Sequence, residues 1–167
     1  MEPISLLKDK RVLLGVTGGI AAYKVCTLAS RLTQAGAQVD VVMTEAATRF
    51  VTPLTFQSLT GRPVYTTMWG ALDATMGDDA TLSTHVVHVG LAEAADLMVI
   101  APATANTMAK LAHGLADNLL TTEALATRCP LLLAPAMDVG MWAHRATQAN
   151  VATLQERGAV FAGPARG

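Results

Sequence analysis

The stretch Ala95-Asp-Leu-Met-Val-Ile-Ala-Pro-Ala-Thr-Ala-Asn-Thr107 decides the fold predicted for this chain. Leu97 to Ala101 are unbroken apolar residues, as in a strand buried on both faces of a parallel sheet. Pro102 has no N–H to donate to a neighbouring strand, so the strand is predicted to end at Ala101. Small polar residues follow and lead into a helix predicted over 103–112. Open α/β sheets bind ligands at strand ends of this kind, although every such sheet has several ordinary connections too.

The same alternation of strand and helix continues on both sides of this stretch. Further strands are predicted over 11–17, 38–43, 63–67, 130–134 and 159–162. Further helices are predicted over 20–35, 46–50, 53–59, 91–95, 118–127 and 144–157. Five or six strands alternating with helices indicate an α/β fold with a doubly wound, Rossmann-like parallel sheet of the flavodoxin or flavoprotein type. One three-layer domain is expected to fill residues 1–167.

The composition excludes several functional classes. Of the 167 residues, 51% are hydrophobic and only 4% aromatic, so the core is expected to consist of Ala, Val, Leu and Met. A formal net charge of −1 gives no field for nucleic acid or an anionic membrane. No apolar run reaches the ~18 residues of a membrane span, and the charged start resembles no signal peptide. Two cysteines, Cys26 and Cys129, have no metal-type spacing, which favours a reducing cytoplasm.

The first predicted strand is followed by Gly18, Gly19 and a helix. Glycine lets the backbone approach a ligand closely, and a helix N-terminus directs N–H groups at an anion, so this turn is a candidate phosphate site. A plain tight turn is the alternative, because the segment is neither a P-loop nor Gly-x-Gly-x-x-Gly. The second strand ends at Thr44, a hydroxyl where dinucleotide-binding sheets usually have a carboxylate. This favours a mononucleotide as the ligand. A dinucleotide remains an alternative, because the next residue, Glu45, carries a carboxylate.

Four segments taken together resemble one protein family. They are Thr17-Gly-Gly-Ile-Ala-Ala-Tyr-Lys24, His88-Val-Gly-Leu-Ala92, Pro102-Ala-Thr-Ala-Asn-Thr107 and Pro135-Ala-Met-Asp-Val-Gly-Met-Trp142. Their order and spacing resemble the homo-oligomeric flavin-containing cysteine decarboxylases. Within that family they are most similar to the phosphopantothenoylcysteine decarboxylase domain of bacterial bifunctional coenzyme A biosynthesis proteins. The resemblance covers nearly the whole chain.

The resemblance implies a flavoprotein that binds FMN at the subunit interface of a homotrimer, which often assembles further into a dodecamer. It implies a cytoplasmic carboxy-lyase of coenzyme A biosynthesis that converts 4'-phosphopantothenoylcysteine to 4'-phosphopantetheine. In that chemistry the flavin accepts a hydride equivalent from the cysteine side chain, and the resulting thioaldehyde lets carbon dioxide leave. The ligase domain of the bifunctional proteins is expected to be absent from residues 1–167. No metal, nucleic acid or membrane partner is implied.

The resemblance also assigns roles to individual residues. His88 matches the active-site histidine, whose imidazole titrates near neutral pH and accepts a proton as the cysteine is oxidised. His85 lies outside the matched motif and receives no role. Asp138 and Met141 are expected to bind the substrate. The expected cofactor-binding residues are Gly18, Gly19, Ile20, Thr44, Phe50, Thr104, Ala105, Asn106 and Thr107.

Two departures from the family pattern leave alternatives open. Asp138 stands where the family usually has an asparagine that binds the substrate carboxylate, and two unit charges ~4 Å apart repel by about 4 kcal/mol at an effective dielectric of 20. Asp138 is therefore protonated, or backbone N–H groups bind the carboxylate, or the substrate differs. In addition, neither Cys26 nor Cys129 matches the cysteine that the family uses to reduce the product.

These departures define the alternative functions. One is a peptidyl-cysteine decarboxylase that stops at the aminoenethiol, and another is a flavin-binding subunit without catalysis. A NAD-binding sheet is disfavoured by the glycine pattern. The long segment 69–83 lacks periodicity and is expected to be either a lid or an insertion without function.

Overall fold

The fold is a six-stranded parallel sheet with helices on both faces. It is seen in a computed structural model that describes residues 6–68 and 84–165, with side chains for 6–68 and 89–165. The first half contains β1 (Arg11–Val16), α1 (Ala22–Gln34), β2 (Gln38–Met43), α2 (Glu45–Thr48), α3 (Pro53–Thr60) and β3 (Val64–Tyr65). The second half contains α4 (Thr84–Ala94), β4 (Leu97–Ala103), α5 (Ala105–His113), α6 (Leu119–Ala126), β5 (Leu131–Pro135), α7 (Val139–Ala143), α8 (Arg145–Glu156) and β6 (Val160–Phe161).

The strand order is β3-β2-β1-β4-β5-β6, and every neighbouring pair is parallel. This is the doubly wound Rossmann order, so the predicted fold class is confirmed. The order reverses between β1 and β4, whose registers pair Val12 with Leu97 and Gly15 with Ile100. In open α/β sheets the crevice at such a reversal is where ligands bind.

The two faces of the sheet bury two separate apolar cores. On one face, α1 and α3 cover β1 and β2 through a core that contains Val16, Ala29 and Phe56. On the other face, α4, α5, α6 and α8 cover the sheet around Met98 and Leu133. Apart from Phe56 and Glu123, the largest fully buried side chains are aliphatic or methionine, in agreement with the low aromatic content.

Pro102 does not end β4, and this corrects the predicted boundary. The strand continues to Ala103, and its pairing with β5 shifts register between Ile100 and Ala103. The irregularity accommodates a residue that has no N–H for the ladder. Ala103 then pairs with Pro135, so the two proline-containing strand ends lie side by side.

Two further elements differ from prediction. Helix α4 begins at Thr84 rather than near Leu91, and α7 forms within the segment predicted to be a loop after β5. The segment 69–83, predicted to be a lid or an insertion, lies outside the described residues. No helix in the described part of the chain is long and apolar enough to cross a membrane.

Helix α6 places a carboxyl group in the interior. Glu123 is 0% exposed, and its helix packs against α4. Burial raises the pKa of Glu123 to about 8, and an interaction with the backbone N–H of Ala92 offsets only part of that rise. At neutral pH the folded protein therefore holds this group mainly as a neutral carboxylic acid, which is the form that burial favours.

This raised pKa predicts a pH-dependent stability. Between pH 4.5 and about 8 the unfolded chain loses the Glu123 proton and the folded protein keeps it, so the free energy of unfolding falls as pH rises, by at most about 1.4 kcal/mol per pH unit. Glu123→Gln removes this dependence. In urea unfolding at pH 5, 6.5 and 8, the free energy of unfolding of the variant should rise relative to that of the wild type as the pH increases. Glu93→Gln, on an exposed neighbour in α4, should not. A difference that stays constant with pH would contradict the assignment.

Candidate functional site

One large cavity opens at the carboxyl ends of the central strands. Its volume is about 2060 Å³, and it lies where β1, β2, β4 and β5 end. Pockets for a single small ligand usually measure about 300–1,000 Å³, so this cavity has room for more than one. Its walls come from the glycine turn, the start of α2, the loop into α5 and the segment 134–142.

The glycine turn supplies the amide groups at one end of the cavity. Gly18, Gly19, Ile20 and Ala21 all line it. The N–H of Gly19 donates to the Thr17 carbonyl at 3.0 Å, whereas those of Gly18, Ile20 and Ala21 have no acceptor among the residues that the structure describes. Ala21 is the N-cap of α1 and offers no side-chain cap. Unsatisfied amides beside a helix N-terminus form a natural anion site.

Gly18 sits in tight contact with α2. A Cβ atom at Gly18 would lie 2.4 Å from the Cβ of Ala46, whereas one at Gly19 would find its nearest neighbour, in Pro102, at 3.6 Å. Only a residue without a side chain fits at Gly18. This contact sets the distance between the glycine turn and Thr44, the N-cap of α2.

Two threonines cap helices at the cavity wall. The hydroxyl oxygen of Thr44 accepts the Ala47 N–H at 3.2 Å, and that of Thr104 accepts the Thr107 N–H at 3.2 Å. The Thr104 hydroxyl also donates to the Thr107 hydroxyl at 3.1 Å. The Thr44 hydroxyl donates to no group in the described part of the chain, so its proton is available to a ligand.

Thr17 joins the ends of β1 and β4. Its buried hydroxyl donates to the carbonyl of Pro102 and accepts the N–H of Thr104 at 3.3 Å. The residue lies in a matched segment but was not among the predicted site residues. A hydroxyl at the last buried position before a glycine turn is the signal that identifies it, because it satisfies backbone groups that an irregular strand end leaves open.

Asp138 begins α7 at the opposite wall. Its Oδ1 accepts the Gly140 N–H at 2.7 Å, and the Trp142 N–H donates to its backbone carbonyl at 3.0 Å. The side chain acts here as an N-cap acceptor. Met141 and Trp142 project from this helix and line the cavity, with Met141 50% exposed.

The structure brings most of the predicted site residues together. Every residue that the sequence analysis predicted to bind the cofactor or the substrate lines this one cavity, except Phe50. Phe50 follows α2 and is 50% exposed outside the lining. The backbone of His88 lies in α4, and its side chain is outside the described residues.

An ion pair that the sequence analysis missed lies at the far end of α5. The Lys110 ammonium donates to both carboxylate oxygens of Asp117, at 2.9 and 3.0 Å. Both residues line the cavity, together with Asn118, which caps α6. Lys110 and Asp117 are seven residues apart on either side of a turn, so no helical or strand spacing in the sequence indicated that they pair. The described residues contain no cluster of His, Cys, Asp and Glu that would hold a metal ion.

Comparisons with known proteins agree with this architecture. The Flavoprotein family profile matches residues 2–166. The coenzyme A biosynthesis bifunctional protein CoaBC of Mycobacterium tuberculosis is 50% identical over 158 residues, which cover 95% of this chain and 35% of that protein. Its counterpart from Bacillus subtilis is 46% identical over 162 residues, 97% of this chain and 38% of that protein. The chain thus spans little more than a third of these curated relatives.

Solved structures cover nearly the full length of the chain. The FMN-dependent cysteine decarboxylase SpaF is 37% identical with a TM-score of 0.81, covering 96% of this chain and 87% of that one. A mutant PPC decarboxylase complexed with pantothenoylaminoethenethiol is 34% identical with a TM-score of 0.80, covering 95% and 84%.

Proposed function

The chain belongs to the Flavoprotein family, and we propose that it is an FMN-dependent decarboxylase that converts 4'-phosphopantothenoylcysteine to 4'-phosphopantetheine in coenzyme A biosynthesis. The observation that carries this proposal is the cavity that collects the glycine turn, the loop into α5 and the Asp138 segment at one edge of the sheet. The 50% identity to a bifunctional coenzyme A biosynthesis protein favours this substrate.

The residues of the cavity fit FMN. Three amides without an acceptor, at Gly18, Ile20 and Ala21, match the needs of a phosphate, and the Thr44 hydroxyl adds a fourth donor. The first turn of α5, from its N-cap Thr104 to Thr107, offers a capped wall for a flat ring. When bound, the flavin would supply the redox chemistry, taking electrons from the substrate cysteine and returning them after carbon dioxide has left, which gives the product.

The protein's own part is orientation and proton transfer. We assign His88 as the group that accepts a proton from the substrate as its cysteine is oxidised. Met141 and Trp142 cover the substrate from α7, and their apolar side chains keep water away from the reacting carbon. The Asp138 cap holds α7 in the position that makes this possible.

We further propose a homo-oligomer, as a homotrimer or dodecamer, in which a second copy closes the cavity. Three apolar side chains on its lining are strongly exposed, namely Ile20 at 76%, Val139 at 81% and Met141 at 50%. A neighbouring subunit would bury them beside the flavin. Light scattering of the purified protein should give a multiple of the chain mass.

We also propose a cytoplasmic location. Cys26 and Cys129 form no disulfide, which accords with a reducing compartment.

Identifying the bound cofactor and the reaction product tests the proposed function. The purified protein should be yellow and should release FMN rather than FAD on denaturation. Mass spectrometry should show loss of carbon dioxide from phosphopantothenoylcysteine and little change in a peptide that ends in cysteine. Preferential decarboxylation of the peptide would favour the peptidyl-cysteine decarboxylase, for which Asp138 is the supporting observation. Bound flavin without turnover of either substrate would indicate a non-catalytic subunit.

Asp138→Asn tests how the substrate carboxylate is bound. The asparagine Oδ1 accepts the Gly140 N–H equally well, so α7 and the thermal stability should be unchanged. Of the three alternatives for the substrate carboxylate, we propose the one in which backbone N–H groups bind it. On that proposal kcat/KM should change by less than about tenfold, which is about 1.4 kcal/mol. Steady-state kinetics on both proteins measures this. A gain approaching the ~4 kcal/mol expected for full charge repulsion would mean that the natural substrate is a different one.

A further inference from the structure

A second, smaller pocket lies at the edge of the sheet where β5 and β6 begin. Its volume is about 500 Å³, and it is lined by the ends of α5, α6 and α8 and by the loops that lead into β5 and β6. The large cavity borders the opposite edge, where the strands end, and the two share only Lys110 among the residues that the structure describes. Pockets for a single small ligand usually measure about 300–1,000 Å³, so the small pocket has room for one molecule.

The interior of the small pocket is apolar. Leu111, Leu131 and Leu154 line it from α5, β5 and α8. Leu115 and Leu125 also line it, and they are 54% and 66% exposed, so they form its solvent-facing part. An apolar chain that entered here would remove these side chains from water, which is the main source of affinity for an apolar group.

The charged residues of the small pocket are all cations. They are Lys110, Arg128 and Arg157, and no carboxylate is among its described lining residues. Asp117, outside this lining, already pairs with Lys110. The Arg157 Nη1 donates to the Ala112 carbonyl at 2.7 Å, which uses one of the five N–H donors of the guanidinium. Arg128 is exposed and makes no hydrogen bond or ion pair within the described part of the chain. Two guanidinium groups with unused donors therefore lie beside an apolar interior.

We propose that the small pocket binds a molecule with an apolar chain and a single carboxylate. The chain occupies the leucine-lined interior, and the carboxylate accepts hydrogen bonds from Arg128 and Arg157. A guanidinium matches a carboxylate in both charge and geometry, because its planar N–H donors can bind both carboxylate oxygens. The pocket is at the other edge of the sheet from the large cavity, so this inference goes beyond the proposed function and does not depend on it.

Binding is measured by isothermal titration calorimetry on the full chain as purified, with octanoate as the probe. Octanoate should bind with a stoichiometry of one per chain. Decanoate, which has two more methylene groups, should bind about tenfold more tightly. 1-Octanol has the same chain length and no charge, so it should bind more weakly than octanoate, by about threefold or more. No binding of octanoate, or equal affinities for octanoate and 1-octanol, would overturn the proposal.

Reversing one charge tests the role of the cations. Arg128→Glu should weaken octanoate binding about three- to tenfold, because it removes an attraction and adds a repulsion, and should leave the affinity for 1-octanol within about twofold. Arg145→Glu is the matched control, since Arg145 is an exposed arginine of α8 outside the lining of the small pocket. It should bind octanoate as the wild type does. Equal octanoate affinity for Arg128→Glu and the wild type would contradict the assignment.

The two free cysteines show where the ligand binds. Cys129 lines the small pocket and is partly exposed, whereas Cys26 lies in α1 and lines neither pocket. Saturating octanoate should slow the alkylation of Cys129 by iodoacetamide about fivefold or more, by covering the thiol, and should leave that of Cys26 unchanged. Peptide mass spectrometry measures both rates in one sample. Octanoate that binds without protecting Cys129, or that slows both cysteines equally, would overturn the proposed location.

Discussion

His88→Asn is expected to lower kcat for carbon dioxide release by about 10²–10⁴-fold, the usual contribution of a general acid or base, and to leave the bound flavin in place. Asparagine is close in size to histidine but does not titrate near neutral pH, so it accepts no proton from the cysteine. Flavin content is read from the visible absorbance of the purified protein, and turnover from the product mass. The two measurements separate loss of chemistry from loss of cofactor.

His85→Asn is the matched control for this prediction. His85 lies three residues earlier on the same helix, α4, and has no assigned role. It should retain the wild-type kcat within about threefold, as substitutions outside the reacting groups usually do. If His85→Asn lost turnover and His88→Asn kept it, the proton acceptor would be the other histidine. If the wild type and both variants bound flavin and none of the three consumed substrate, the chain would be a flavin-binding subunit without catalysis.

The sheet was predictable because its central strands, β1, β2 and β4, are buried on both faces. Runs such as Leu97 to Ala101 cannot be amphipathic, and glycine or proline follows several of them, so five or six strands could be placed along the chain. The order of the strands within the sheet is known from the structure alone. The cavity followed from the fold, since parallel strands bring their carboxyl ends to one edge. That is why the glycine turn and the loop after Pro102, which are far apart in the chain, line one cavity.

The parts that the sequence did not predict depend on contacts between distant residues. Pro102 remains inside β4 because the β4–β5 pairing shifts around it, and no local pattern encodes a partner strand. Glu123 looks like an exposed helix residue by type, yet the packing of α4 on α6 buries it completely. The side chain of Phe50 was assigned from a motif, and motif membership does not specify which way a side chain points.

Gly18→Ala is expected to have the second large effect, on flavin binding. The new Cβ would lie 2.4 Å from the Ala46 Cβ and 3.0 Å from its carbonyl carbon, and neither atom belongs to a flexible side chain. The glycine turn and α2 must therefore move apart. Overpacking of this kind costs about 1–3 kcal/mol. If that cost falls on the bound form, the affinity for FMN drops about ten- to hundredfold.

Removing the other half of the contact should restore binding. In Gly18→Ala combined with Ala46→Gly the close pair of Cβ atoms is gone, so the FMN affinity should recover in large part, although the backbone of Ala46 remains close. Fluorescence titration of FMN into apoprotein measures all four members of this double-mutant cycle. Gly19→Ala, whose Cβ makes ordinary contacts, should keep the stability of the apoprotein. Equal FMN affinity for Gly18→Ala and the wild type would contradict this prediction. It would show that FMN binding does not depend on the spacing between the glycine turn and Thr44.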